Sequence, residues 1–406
     1  MRCGKAFALT AHAHGCDACL AAGVSANLTL VYDTRPALAP AQLLHDQRSM
    51  WRYAPLLHAP ADAAVSLGEG LTPMLTAERL GLGPLWIKDE SRNPTWSFKD
   101  RLASAAVTMA RRMGARVIAA SSSGNAGAAT AAYAARAGMP CVLLTTQAAG
   151  GAMVTQMNSY GAMLLRVPTS ADRWKILSVG VEQHGWFPTT VYFGPAPGSN
   201  PMGIEGYKTI AYEIAEAMDW QVPDWCAIPA AYGDSLYGMW KGFEELRALG
   251  WTDRVPRFLA AEVSGSLVQA MAEGVDMPPV RSLPRPSMAA SIAATQGTYQ
   301  GLAALRATQG AAVYVANADI ADWQARLARL EGLYAEPAAV ATFPAIAQLR
   351  ADGTIGANET VVSLLTASGL KDNTAAEAWQ RPAPVIAPEF GAAVQALEEH
   401  YGYRVE

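Results

Sequence analysis

The chain is 406 residues long, 51% hydrophobic and 16% charged, with a net charge of −4. That length holds two domains with ample core, and the balance describes a compact folded protein rather than a disordered one. No basic cluster suits nucleic acid, no apolar run reaches the roughly 18 residues of a membrane span, and no basic-then-apolar leader opens the chain; the expectation is a cytoplasmic protein without nucleic-acid or membrane partners.

Three of the five cysteines crowd the first twenty residues: Cys3, Cys16 and Cys19. Cys16-Asp17-Ala18-Cys19 has the spacing of a zinc knuckle, and Cys3-Gly4-Lys5 looks like the end of an earlier one. The first cysteine of that earlier pair is missing. Three readings stay open: a start codon placed too late, a zinc site completed by His12 or His14, or a metal-free remnant. Leu28 to Tyr32 predicts a strand. Pro36, Pro40, Pro55 and Pro60 then punctuate 34–65, which reads as loops and short helices around the body. From 100 to 199 strand and helix alternate. Strands are predicted over 117–121, 141–145, 163–167 and 190–193, with helices near 101–113, 126–137, 151–159 and 170–184. The alternation resumes after 204, with strands near 225–229, 258–263, 312–316 and 360–366. Short loops between alternating elements predict α/β architecture: two doubly wound domains with mostly parallel sheets facing a cleft. Cys141 and Cys226 lie in apolar strands and read as core residues.

The stretch Asn93-Pro94-Thr95-Trp96-Ser97-Phe98-Lys99-Asp100-Arg101 follows the short strand Leu85-Trp86-Ile87-Lys88 and opens a helix. Ligands of open α/β sheets sit at the carboxyl ends of strands. A lysine there, at the positive end of a helix, can lose its proton more readily and serve as an amine nucleophile. The ordinary reading of the same residue is a solvated first-turn lysine.

Ser-Phe-Lys-Asp-Arg after Asn-Pro-Thr resembles the lysine motif of the threonine synthase branch of pyridoxal-phosphate enzymes, a fold shared with the tryptophan synthase β chain and the amino-acid dehydratases. The resemblance recurs in order over 66–372. It implies a tryptophan synthase β-like fold, pyridoxal phosphate held by Lys99 as an internal Schiff base, and a homodimer. It also implies a domain plan: a zinc-ribbon-like arm over 1–33, a large cofactor domain from 34–99 and 200–385, a small substrate-loop domain over 100–199, and a tail over 386–406. The family usually has Gly where Trp96 and Leu102 stand, so Trp96 is expected to bring a large ring beside the lysine and alter the substrate space.

Further motifs carry the same resemblance. Ser66-Leu67-Gly68-Glu69-Gly70-Leu71-Thr72-Pro73 resembles the family's Gly-Glu-Gly-x-Thr-Pro loop. Ser121-Ser122-Ser123-Gly124-Asn125-Ala126-Gly127 joins a strand to a helix, where glycine and free N–H groups suit an anion. Its likeness to the family's Ser-x-Gly-Asn loop places Asn125 on the cofactor ring and Ser122, Ser123, Gly124 and Ala126 around the substrate. Ala231-Tyr232-Gly233-Asp234-Ser235 matches the glycine-rich loop for the cofactor phosphate. Asp234 is awkward there, since like charges repel, and is expected to turn away and cap the next helix. Leu364-Leu365-Thr366-Ala367-Ser368-Gly369-Leu370-Lys371-Asp372 resembles the strand end whose threonine meets the pyridine nitrogen, making Thr366 the first candidate and Ser368 the second. A hydroxyl partner cannot hold the ring nitrogen charged, which favours elimination and replacement over transamination. Glu336-Pro337-Ala338-Ala339 resembles a family helix start.

Gly198-Ser199-Asn200-Pro201-Met202-Gly203-Ile204-Glu205-Gly206-Tyr207-Lys208-Thr209 matches threonine synthases except at Gly203, where they carry the Arg that grips a substrate phosphate, and at Pro197 and Gly198, which replace a polar pair. Dianion recognition wants an arginine fork. The expectation is a pyridoxal-phosphate lyase or β-replacement enzyme acting on a small L-amino acid. The alternatives are a threonine synthase with a rebuilt phosphate clamp and a cofactor-binding protein without catalysis.

Overall fold

The computed structural model describes residues 1–10, 14–32, 37–283, 287–373 and 376–405. Ten strands are defined: β1 Met74–Thr76, β2 Leu85–Asp89, β3 Ile118–Ser121, β4 Cys141–Thr146, β5 Met163–Val167, β6 Phe187–Pro188, β7 Trp225–Pro229, β8 Arg257–Glu262, β9 Ala311–Tyr314 and β10 Val361–Leu365. They form a six-stranded sheet in the order β1-β2-β10-β7-β8-β9 and a four-stranded sheet in the order β5-β4-β3-β6. Every pairing is parallel except the antiparallel edge β1–β2. The central strands read as continuous apolar runs because helices cover both faces. The expected α/β class with two mostly parallel sheets is what the chain adopts. No helix of the described residues is long and apolar enough to cross a membrane.

In the body built on the four-stranded sheet the helices fall where the alternation puts them: Lys99–Arg112, Asn125–Arg136, Gly151–Ser159 and Ser170–His184. Two expected strands do not form. Leu28–Tyr32 runs alongside helices, not a sheet. Its backbone and side chains are taken by Lys241, which donates to Leu30 O at 2.7 Å and Thr29 Oγ1 at 3.1 Å, and Tyr32 donates to Glu205 at 2.7 Å. The strand expected over 190–193 stops at Pro188, because β6 pairs only with Ile118 and Ala119 before the chain turns out of the sheet.

The two bodies meet through the Lys99–Arg112 and Pro201–Ala217 helices. Gly206 permits this approach: a Cβ there would lie 2.1 Å from Arg101 O. At Gly203 a Cβ would lie 2.9 Å from Leu102 Cγ. A large and a small residue, Leu102 and Gly203, thus face each other across one tight contact. The Arg101 guanidinium is fully buried between Glu90, at the end of β2, and Glu213. It donates to Glu90 Oε1 and Oε2 at 2.7 Å each, to Glu213 at 2.6 and 2.8 Å, and to Thr209 at 2.8 Å. Lys88 adds a 2.7 Å bond to Glu213. This network locks the strand that precedes Lys99 to the helix that follows it.

Candidate active site

A cavity of about 350 Å³ opens between the two sheets. Lys99 enters it from the first turn of its helix. Its Nζ donates to the Tyr207 hydroxyl at 3.1 Å and sits 4.3 Å from the Phe98 ring centre. Phe98 and Tyr207 stack with centroids 5.1 Å apart. Burial lowers the Lys99 pKa, and the charges of Asp234 and Glu336 oppose that fall only in part. The site therefore shifts Lys99 toward its neutral amine, beside a stacked aromatic pair.

The expected site residues converge. Ser122, Ser123, Gly124, Asn125 and Ala126 line the wall from β3; Ala231, Tyr232, Gly233, Asp234 and Ser235 line the wall after β7; Thr366 closes the end of β10. Two expectations are corrected. Ser368 lies outside the cavity, in a separate surface groove, because its side chain caps the Gly369–Lys371 turn by accepting from Leu370 N at 3.3 Å. Trp96 lies in that groove too, 46% exposed. Its backbone is left-handed, with φ +65°, and its N–H is tied to Asn93 O at 2.8 Å, which turns the indole outward rather than beside Lys99.

Asp234 is also corrected. It does not cap the Asp234–Ala248 helix but occupies its first position, after Gly233 at φ +75°. Its carboxylate accepts from Ser199 N at 3.0 Å, from the Ser199 hydroxyl at 2.7 Å and from the Gln300 amide. Gly198 is small for a structural reason: a Cβ there would meet the Gln300 amide at 2.3 Å and that of Asn27 at 2.6 Å. The helix start is left without a side-chain cap, and Gly233 packs so closely on Gly301 that a Cβ would come within 2.5 Å. First-turn N–H groups with no intrahelical partner, beside Ser235 and a cradle only glycine tolerates, suit an anion.

Three residues without an expected role in the site take part in it: Glu336 and Arg173 line the cavity, and Tyr207, fully buried, holds Lys99 from behind. Tyr207 lay unremarked inside a matched stretch. Glu336, read as a helix-start residue, is fully buried in the wall and takes the Asn125 amide at 2.9 and 3.1 Å. Burial raises its pKa, against the Asn125 hydrogen bonds. Arg173, with no motif around it, reaches the cavity from the Ser170–His184 helix. Two buried oxygens on the cavity wall, Asn125 Oδ1 and Ser121 Oγ, have no hydrogen-bond partner.

Residues 65–367 match the family described as "Pyridoxal-phosphate dependent enzyme". The chain belongs to that family. Family members use pyridoxal phosphate, and the cavity fits the group: a desolvated lysine amine, an uncapped helix start, orphaned buried oxygens and a strand-end hydroxyl surround it. The pyridoxal-phosphate enzyme is 32% identical to a threonine synthase of Methanosarcina acetivorans over 397 residues, covering 95% of each chain. It is 29% identical over 390 residues to a threonine synthase of Methanocaldococcus jannaschii, covering 93% of each. Among solved structures, maize serine racemase superposes with a TM-score of 0.63 at 19% identity, over 76% of this chain and 91% of that one. O-ureido-L-serine synthase gives 0.61 at 23%, over 77% and 94%. These structures establish the shared fold.

Away from the cavity, the Cys3, Cys16 and Cys19 sulfurs lie within 4.8 Å of one another, with Cys3 and Cys16 at 3.5 Å. The Lys5 backbone N–H, then the Cys19 and Cys16 thiols, bring Cys3 down to about 7. His14 faces Asp17 at 3.2 Å and is not part of the group. His12 lies outside the described residues.

Proposed function

We propose that the enzyme is a pyridoxal-phosphate-dependent lyase or β-replacement enzyme acting on a small L-amino acid. The observation that carries this reading is the desolvated Lys99 amine, held at Tyr207 and facing a cavity lined by the serine loop and by an uncapped helix start. Gly233, Ser235 and the free N–H groups of their helix would hold the cofactor phosphate, Asn125 the ring oxygen and Thr366 the ring nitrogen. When bound, pyridoxal phosphate supplies the electron-accepting ring that makes an α proton removable. Ser122, Ser123, Gly124 and nearby N–H groups take the substrate carboxylate. Lys99 Nζ removes the α proton, and Tyr207 fixes where that nitrogen points. The β substituent leaves with its bonding electrons. Water then completes elimination to a keto acid and ammonia, or a second nucleophile completes replacement. A hydroxyl at Thr366, rather than a carboxylate, would not hold a charge on the ring nitrogen, which supports elimination over transamination.

A second reading is threonine synthesis from O-phosphohomoserine with a rebuilt phosphate clamp. The full-length likeness to proteins named threonine synthase supports it, and Arg173 supplies a cation in the cavity. Against it, Gly203 stands where the motif resemblance implies a phosphate-gripping arginine, and a Cβ there would already meet Leu102 Cγ at 2.9 Å. Product analysis after incubation with L-serine, L-threonine, O-acetyl-L-serine and O-phosphohomoserine decides. Keto acid or a β-replaced product supports the first reading; threonine from O-phosphohomoserine alone replaces it.

We further propose that Cys3, Cys16 and Cys19 hold a structural zinc ion through thiolates. Three sulfurs already within tetrahedral reach favour it. Metal analysis of the purified protein is expected to find zinc in equimolar amount and to lose it in Cys16→Ser; a zinc-free protein overturns the assignment.

A further inference from the structure

Arg173 has no task in the reaction above, yet it occupies the cavity. It stands in the first turn of the Ser170–His184 helix, between Ser170 and Trp174, all three on the cavity wall. Its Nη1 donates to Ser123 Oγ at 3.2 Å, and its Nε reaches Ser170 O at 3.4 Å. A guanidinium carries five N–H donors, so most of the fork is unused. Among the described residues no carboxylate pairs with it. The adjacent Asp172 is occupied elsewhere: it accepts from Thr169 N at 3.1 Å and the Thr169 hydroxyl at 2.6 Å and pairs with Lys175 at 2.8 Å. The acids of the cavity are also taken, Asp234 by Ser199 and Gln300, Glu336 by Asn125.

A half-buried cation without an anion is costly unless something brings one. The amino-acid carboxylate already has the serine loop. The cofactor phosphate has the Gly233–Ser235 helix start. What is left for Arg173 is the far end of the substrate; Thr146, Ser170 and Thr190 line the same cavity.

We infer that Arg173 is the specificity residue for a negatively charged group on the β or γ substituent of the substrate, so that the small amino acid is an acidic one. This rests on the amino-acid reading of the site. The carboxylate of an acidic amino acid and the phosphate of a phosphorylated one share the required chemistry: a planar or tetrahedral oxyanion that an arginine fork can grip. Neutral substrates of the same shape leave Arg173 unpaired.

The test is equilibrium binding to the cofactor-loaded enzyme, read from the visible band and not from turnover. Matched pairs separate charge from shape: L-aspartate against L-asparagine, L-glutamate against L-glutamine, and O-phospho-L-serine against O-acetyl-L-serine. The anionic member of at least one pair is expected to bind about 10- to 100-fold more tightly, the worth of a charged hydrogen bond. Whether a carboxylate or the phosphate pair shows it names the source of the anion. Arg173→Met erases the preference while the neutral member binds within about twofold of wild type, and Arg173→Lys, which keeps charge without the fork, restores part of it. Equal affinity within every pair overturns the inference, and because wild type alone reports it, no variant need fold. Equal weakening of both members in Arg173→Met would put the arginine on the α-carboxylate, and a raised cofactor requirement would put it on the cofactor phosphate; either overturns the inference. Neutral amino acids processed without charge preference sink this inference alone and leave the proposed reaction standing. A loaded enzyme whose band no amino acid disturbs sinks both.

Discussion

Replacing Arg101 with Met tests how the fold holds Lys99 in place. Arg101 makes five bonds of 2.6–2.8 Å to Glu90, Glu213 and Thr209, and no side chain of the Arg101–Glu90–Glu213 cluster is more than 3% exposed. Removing the guanidinium leaves Glu90 buried without a cation and Glu213 with Lys88 alone. Breaking a buried pair in this way costs about 3–5 kcal/mol, since the orphaned charge keeps its desolvation penalty. At about 2 °C per kcal/mol, the lower end for large domains, the expected fall in melting midpoint is about 6–10 °C. Arg101→Lys keeps a charge but cannot fork to both acids, and should fall between. The same network joins the end of β2 to the Lys99 helix, so cofactor affinity should weaken in step with stability. Differential scanning of the cofactor-free protein measures the first effect and cofactor titration the second. A midpoint within about 2 °C of wild type would refute the reasoning.

Gly206→Ala places a methyl 2.1 Å from a backbone oxygen that cannot swing aside, and should cost about 1–3 kcal/mol in denaturant unfolding; Gly203→Ala, against the Leu102 side chain, should cost less. Two buried groups give opposite pH signatures. Burial raises Asp100 to about 7, against hydrogen bonds from Thr95, so the folded state binds a proton the unfolded state releases and stability falls as pH climbs from about 4 to 7. Burial lowers His58 to about 4, so the unfolded state binds the extra proton and stability rises over about pH 4 to 6.5. Asp100→Asn should therefore steepen the rise of stability with pH, and His58→Gln should flatten it, in denaturation midpoints taken across that range. Lys99, with its pKa lowered, should capture added pyridoxal phosphate at a rate that rises with pH and levels off below the pH at which an exposed lysine would. A rate still climbing through pH 10 or so would count against a desolvated amine.

Much of the fold was legible because its signals are local. The helices over 151–159 and 170–184 and the strands over 163–167 and 225–229 fall where hydrophobic runs and breakers put them. The lysine loop, the serine loop and the strand end at Thr366 were legible through their resemblance to family motifs; their spacing alone would also fit ordinary helix starts and a buried strand end. The failures come from distant partners and, at Trp96, from backbone conformation. Leu28–Tyr32 has strand composition, but the partners that take its polar groups are Lys241 and Glu205, more than 170 residues away. Trp96 reads as a neighbour of Lys99 in sequence; a left-handed backbone sends it the other way. Asp234 looked misplaced beside a phosphate seat until Ser199 and Gln300 supplied its donors. Arg173 carries no motif; its helix packs on the four-stranded sheet and so brings it to Ser123, fifty residues earlier in the chain.

The central claim is that Lys99 is the amine to which the cofactor attaches. The visible absorption spectrum of the purified protein, wild type beside Lys99→Ala, tests it most directly. The account predicts a yellow wild-type protein whose band shifts when a substrate amino acid is added, and a variant that lacks the wild-type band and turns nothing over. A wild-type protein that stays colourless with added pyridoxal phosphate, or a Lys99→Ala variant with full activity and an unchanged band, would contradict it.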